Sequence, residues 1–154
     1  MRDTAADLAA RAAADPELWE RLQRVYRETR TIAVVGASQR LDRPSYRIPA
    51  YLQSQGYRII PVNPRGGEIF GERVRTSLAE INELVDVVDV FRPSDEAPEI
   101  ARQAIALGAR VLWLQVGIES EEARAIAKAA GLTVIMNRCL GATHRWLGLG
   151  PGPD

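Results

Sequence analysis

From Thr31 onward the chain alternates between two hydrophobic textures. Short runs rich in β-branched residues lie at Thr31–Val35, Tyr57–Val62, Val85–Phe91, Val111–Gln115 and Leu132–Met136. Between them run stretches whose apolar positions recur every three or four residues. Nearly continuous short apolar runs fit strands covered on both faces, and strands alternating with helices fold into a parallel sheet. The pattern predicts an α/β fold, a doubly wound parallel sheet of about five strands.

Helix punctuation fills in the gaps. Pro49 is expected in the first turn of a helix reaching Gln55 and closed by Gly56, with Pro44–Ile48 as its lead-in. Asn63-Pro64-Arg65-Gly66-Gly67 reads as a loop, Arg73–Thr76 as a very short strand and Ser77 as a helix cap. Ser94 with Asp95 and Glu96 opens a helix whose Ile100, Ala101, Ala104 and Ile105 face inward and which ends at Gly108. Ser120, Glu121 and Glu122 open another, with Ala123, Ile126, Ala127 and Ala130 inward and Gly131 at its end.

Ahead of this body, residues 4–14 are alanine-rich and helical. Asp15-Pro16-Glu17 then reads as cap, first-position proline and first-turn acid of a second helix, with Leu18, Leu22, Val25 and Tyr26 on one stripe. The expected organisation is an N-terminal helical arm over residues 1–30, a body over 31–147 and a flexible Gly/Pro-rich tail over 148–154.

Composition narrows the class without changing this picture. At 154 residues, with 46% hydrophobic and 26% charged residues, the chain suits one ordinary globular domain. Lys+Arg 20 against Asp+Glu 20 leaves no net charge, so no nucleic-acid or membrane partner is expected and any basic site must be local. One cysteine, Cys139, and one histidine, His144, supply neither a disulfide nor a zinc site. No metal is expected, and a reducing, cytoplasmic setting fits. Lys128 is the only lysine, so every other basic side chain is the rigid, permanently charged fork of arginine.

In an open parallel sheet, ligands lie beyond the carboxyl ends of the strands where strand order reverses. That singles out the loops Gly36–Ile48, Asn63–Gly71, Phe91–Pro93 and Gln115–Ile118, with Asn137–Cys139 as a candidate fifth. The first follows a strand and precedes a helix, as in a Rossmann-like dinucleotide site. Gly36 supplies the first glycine of that fingerprint, but Ser38 and Leu41 replace the other two. The second strand runs into Asn63-Pro64 where a ribose-binding acid would stand, which disfavours NAD. Ser38 still offers a hydroxyl and backbone N–H groups to a phosphate, and Arg40, Arg43 and Arg47 add three forks within eight residues. A solvated loop with scattered arginines is the plainer alternative.

Six short motifs, in order and each at a strand end, carry a resemblance. They are Gly36-Ala37-Ser38, Asp42-Arg43-Pro44-Ser45-Tyr46, Asn63-Pro64, Val87-Val88-Asp89-Val90-Phe91-Arg92, Trp113-Leu114-Gln115-Val116-Gly117 and Arg138-Cys139. Together, over about residues 31–145, the chain resembles the stand-alone CoA-binding proteins, themselves similar to the CoA-binding Rossmann domain of succinyl-CoA synthetase α subunits. The resemblance implies coenzyme A as ligand. Gly36, Ala37, Ser38 and Arg43, Pro44, Ser45 and Tyr46 would approach the phosphates. Asn63, Pro64 and Arg65 would approach the ribose-phosphate end, and Phe91, Arg92, Gln115 and Gly117 would line the adenine side or the pantetheine path. Tyr46 and Phe91 are equally readable as core aromatics. The family usually has Asp before Arg-Cys; Asn137 stands here and removes a charge. The synthetase's second domain, with its phosphorylated histidine, is also missing, so ligase chemistry is not expected.

The leading reading is a CoA or acyl-CoA binding protein without catalytic residues, acting as sensor, carrier or regulatory module. The alternatives are an acyl-CoA thioesterase or transferase using Cys139, with His144 as a candidate base, and an NAD(P)-binding redox protein. A chain that associates through its helical arm, as a homo-oligomer or with a protein partner, is the fourth. Asp86 and Asp89, three apart on one strand, face opposite ways and cannot act as a paired acid and base.

Overall fold

In the computed structural model, which describes residues 4–152, two helices precede the sheet: α1 (Ala5–Ala14) and α2 (Pro16–Glu28). Asp15 caps α2, its carboxylate accepting from the Leu18 N–H at 3.1 Å. The expected stripe lies against the sheet through Leu22, Val25 and Tyr26, all buried. By contrast, α1 buries no side chain fully.

The body follows as β1 (Thr31–Val35), α3 (Pro44–Ser54), β2 (Arg58–Val62), the short strands β3 (Glu68–Ile69) and β4 (Glu72–Arg73), then β5 (Val87–Val90), α4 (Ala97–Leu107), β6 (Val111–Leu114), α5 (Glu121–Ala129), β7 (Thr133–Ile135) and α6 (Leu140–Trp146). The main sheet has five strands in the order β2-β1-β5-β6-β7, every neighbouring pair parallel. The chain runs outward from β1 to β2 and returns to β5 on the other side of β1, so strand order reverses between β1 and β5. Ala33, Val88, Val90, Leu112 and Leu114 face α4 and α5; Ile32, Val34, Val87 and Trp113 face α2, α3 and α6. The α/β, doubly wound Rossmann-like expectation holds.

Several boundaries differ from the sequence reading, each for a local reason. The helix after β1 starts at Pro44, not Pro49, so Pro49 lies inside it. Proline in a helix deprives the carbonyl four residues back of its donor. Here that carbonyl belongs to Ser45, and it accepts instead from the Ser38 N–H at 3.3 Å. The orphaned acceptor thereby ties the first loop to the helix.

The short strand expected at Arg73–Thr76 lies at Glu72–Arg73, paired antiparallel with Glu68–Ile69. The turn between them, Phe70-Gly71, has φ of 59° and 71°, a conformation that favours Asn or Gly and hides a hairpin behind a phenylalanine. Ser77 makes no side-chain cap; only a single 3₁₀ turn, Leu78–Glu80, follows. A second 3₁₀ turn over Ser94–Glu96 precedes α4.

The helix α6 has no counterpart in the sequence reading, because Leu140-Gly141-Ala142-Thr143-His144 carries a glycine and too few apolar positions to show a stripe. A Cβ on Gly141 would stand 3.1 Å from Ile48 and 3.4 Å from Tyr51, so the glycine is what lets α6 pack on α3. Residues 148–152 fold back, with Gly152 N–H on the Gln55 carbonyl at 2.8 Å; residues 153 and 154 of the expected tail, like residues 1–3 of the arm, lie outside the described residues.

Candidate functional site

At the point where strand order reverses, the loops after β1 and β5 touch. Gly36 has φ of 91°, and a Cβ there would stand 3.1 Å from Arg92 Cδ and 3.3 Å from the Phe91 backbone. Glycine is required on both counts. The loop after β2 is clamped to the same place by Asn63, whose Nδ2 donates to the Ala37 carbonyl at 2.8 Å and whose Oδ1 accepts from the Arg65 N–H at 2.9 Å. Ala37 is buried, while Ser38 and Ser45 are half-buried and Pro64 and Arg65 exposed.

Ser38 Oγ accepts from the Arg40 N–H at 3.0 Å, turning the loop toward α3. Arg43 sits at the cap position of α3 with an extended backbone and no side-chain hydrogen bond to the helix, and Pro44 brings no N–H of its own. Among the described residues no side chain caps the amino end of α3 and no acid lies in its first turn, so the helix's partial positive charge there is uncapped.

Arginine pairing is uneven across the molecule; Arg21, Arg138 and Arg145 carry no ion pair among the described residues, the last two lying over the Trp146 and Tyr51 rings. Arg58, Arg75, Arg102, Arg110 and Arg124 are engaged by carboxylates elsewhere. Among the described residues Arg43, Arg47 and Arg65 carry no ion pair. Arg40 is balanced by Asp42 at 3.4 Å, and Arg92 by Glu96, with Nε on Oε1 at 3.1 Å and Nη2 on Oε2 at 2.8 Å.

Beside these charges stands an apolar wall. Tyr46, on the first turn of α3, packs against Phe70 with ring centroids 5.1 Å apart and planes tilted by 34°. Gln39 Nε2 donates to the Glu68 carbonyl at 3.2 Å, so the β3–β4 ribbon leans on the first loop. The sequence singled out Tyr46; Phe70 escaped it, since nothing in Ile69-Phe70-Gly71 signals a hairpin tip aimed at another loop. Phe91 is half-buried in the α2–α3–α6 layer.

Further along the sheet edge, side chains brace the loops from within. Gln115 is 5% exposed, and its Oε1 accepts from the Leu140 N–H at 2.8 Å, so it braces α6. Gly117 has φ of 84°, and its N–H donates to Asn137 Oδ1 at 2.7 Å. Asn137 itself has φ of 55°, a conformation that Asn adopts readily, so the residue standing where Asp is usual holds the loop through its side-chain oxygen. Two exposed apolar residues, Leu41 and Val116, lie on these loops.

Cys139 and His144 do not form a nucleophile and base. The half-buried Cys139 caps α6, its Sγ accepting from the Ala142 N–H at 3.4 Å. His144 is fully buried among the rings of Tyr26, Tyr51 and Tyr57, and its Nδ1 shares a 2.7 Å hydrogen bond with Tyr51 Oη. Its burial, and secondarily the Arg145 charge, holds its pKa below the ordinary histidine value.

The residues from Gly36 to Arg65 are thus gathered into one basic edge around the end of β1, with Phe91 and Arg92 across from it. Gln115 and Gly117 stand two strands away, on the loop after β6. Comparison with known proteins gives this arrangement a family: residues 30–145 match the family model described as "CoA binding domain". The chain belongs to the CoA-binding domain family. An uncharacterised Bacillus subtilis protein, YneT, is 40% identical over 123 residues, 80% of this chain and 91% of that one. Among solved structures of similar proteins, one from Thermus thermophilus shares 40% identity with a TM-score of 0.80, covering 84% of this chain and 98% of that one. A hypothetical protein from Pyrococcus horikoshii shares 34% with a TM-score of 0.82, covering 85% and 92%. This CoA-binding domain also resembles part of a far longer enzyme, the ADP-forming acetate–CoA ligase of Methanocaldococcus jannaschii, at 23% identity over 78% of this chain but only 18% of the ligase. Among the described residues no helix is long and apolar enough to cross a membrane, and no group of His, Cys, Asp and Glu could hold a metal ion.

Proposed function

We propose that this protein binds coenzyme A or an acyl-CoA at the β1–β5 edge and acts as a sensor, carrier or regulatory module rather than an enzyme. The observation that carries the reading is the set of Arg43, Arg47 and Arg65, without ion pairs in a chain whose other arginines are mostly engaged. Unbalanced guanidinium groups beside a helix amino end suit a ligand with several phosphates, which each fork can take bidentately. Membership of the CoA-binding family supports coenzyme A as that ligand. Tyr46 and Phe70 offer an apolar face for the ligand's less polar parts. The separate engagements of Cys139 and His144 favour binding over thioester chemistry, and Asn63, both ends of its amide spent on backbone, favours CoA over NAD.

Calorimetry with CoA, dephospho-CoA and NADPH tests the reading. CoA is expected to bind more tightly than dephospho-CoA, with Arg43→Ala narrowing the difference, and saturation at about 100 times Kd should stabilise the fold by about 2.7 kcal/mol. Equal affinity for CoA and dephospho-CoA, or tighter binding of NADPH, overturns it. Thiol release from a panel of acyl-CoAs that vanishes in Cys139→Ser would replace it with the thioesterase reading.

A further inference from the structure

Arg92 approaches the first loop at Gly36. A Cβ on Gly36 would lie 3.1 Å from Arg92 Cδ, so the stem of Arg92 crosses the start of that loop. Its guanidinium, however, is turned to Glu96, which takes it with both carboxylate oxygens at 3.1 and 2.8 Å. Glu96 closes the 3₁₀ turn Ser94–Glu96 and stands at the N-cap of α4 without capping it through its side chain, so its carboxylate is committed to Arg92. Both partners are nearly half exposed, at 45% and 44%, and an exposed pair of this kind opens at small cost. Arg43 and Arg65, on the loops after β1 and β2, and Arg47, on the first turn of α3, have no such partner.

We propose that Glu96 is a charge gate on the CoA site: it occupies Arg92 and adds a negative charge at the mouth, so that a ligand gains Arg92 only by bringing enough phosphate charge to displace the carboxylate. The inference rests on the CoA reading above. Two effects follow from one side chain. The carboxylate repels every anionic ligand in proportion to its charge, and it withholds a bidentate fork from phosphate. Removing the charge while keeping the shape relieves both.

Binding of CoA and dephospho-CoA to wild type, Glu96→Gln, Arg92→Ala and the double variant tests this, with thermal melts confirming that each variant folds. Glu96→Gln is expected to bind CoA about three- to tenfold more tightly and to gain less for dephospho-CoA, which lacks the 3′-phosphate. Arg92→Ala should cost more in the Glu96→Gln background than in wild type, since only there is the guanidinium free beforehand. Unchanged or weaker CoA binding by Glu96→Gln would mean that Glu96 merely orients Arg92, and the gate falls while the CoA reading stands. If wild type fails to bind but Glu96→Gln binds, the gate holds and is closed in wild type; if neither binds CoA, both readings fall.

Discussion

Asp89 sits in the middle of β5 between Val34 of β1 and Trp113 of β6, fully buried, with neither carboxylate oxygen hydrogen-bonded to another described residue. Its neighbours spend their own donors elsewhere: Tyr26 Oη donates to the Leu140 carbonyl at 2.6 Å and Trp113 Nε1 to the Arg138 carbonyl at 2.6 Å. Burial pushes the Asp89 carboxyl well above the ordinary carboxylate range. A carboxyl whose folded pKa is raised lets the native state hold a proton that the unfolded chain has released, so its cost to stability grows as pH climbs from about 4 toward the folded value. Asp89→Asn is therefore expected to stabilise the protein at pH 7, by about 1–3 kcal/mol, and to flatten that part of the pH profile. His144 acts with the opposite slope. Its lowered pKa means that its contribution is complete above about pH 6.5 and is lost as pH falls below it. Melting temperatures of wild type and Asp89→Asn from pH 4.5 to 8 check both: in the variant the acid-side loss should stand alone, and a parallel pair of curves would show that Asp89 is not the source of the slope.

The elements at the basic edge are held by single side chains that reach between loops. Asn63 is the clearest, joining the loop after β2 to the loop after β1 through one amide. Asn63→Asp keeps the acceptor for Arg65 N–H but loses the donor to Ala37, and Asn63→Ala loses both. Both variants are expected to lose stability, by about 1–2 kcal/mol, and to bind CoA more weakly, with Asn63→Ala the more affected. Melting and calorimetry on the same preparations separate the two effects, and CoA affinity unchanged in Asn63→Ala would show that the first loop keeps its shape unaided. This clamp also marks the limit of what the sequence discloses. The strands and the long helices were legible because burial on one or two faces imposes a period on their side chains. The partners of Asn63, the rescue of the Ser45 carbonyl by Ser38 and the seat of Phe70 on Tyr46 were not, since each joins segments that only the fold brings together. For the same reason α6 was missed: its seven residues owe their place to close packing on α3 rather than to a stripe of their own.

At the scale of the whole molecule, the two faces of the sheet are built differently. The α4–α5 face is aliphatic throughout, whereas the α2–α3–α6 face mixes Leu22 and Leu52 with Tyr26, Tyr57, Trp113 and His144. The N-terminal arm divides along the same line: α2 is part of that second core, and α1 lies on its outside, with Arg11 donating to the Trp146 carbonyl at 2.7 Å. Leu22→Ala is expected to cost about 2–4 kcal/mol, while a chain beginning at Asp15 should keep its fold and lose no more than a few degrees. Denaturant melts of the two proteins decide it; a chain from Asp15 that fails to fold would make α1 a structural element and not an appendage.

The concentration of unbalanced arginines on one edge has a consequence for how the molecule meets its surroundings. Its positive and negative charges cancel in number, yet Arg43, Arg47 and Arg65 have no carboxylate partner to offset them locally. An approaching polyanion is attracted to those guanidinium groups before any contact forms, and dissolved salt shortens the distance over which the attraction is felt. Ionic strength thus enters the rate of encounter directly, in a protein whose total charge would suggest indifference to it.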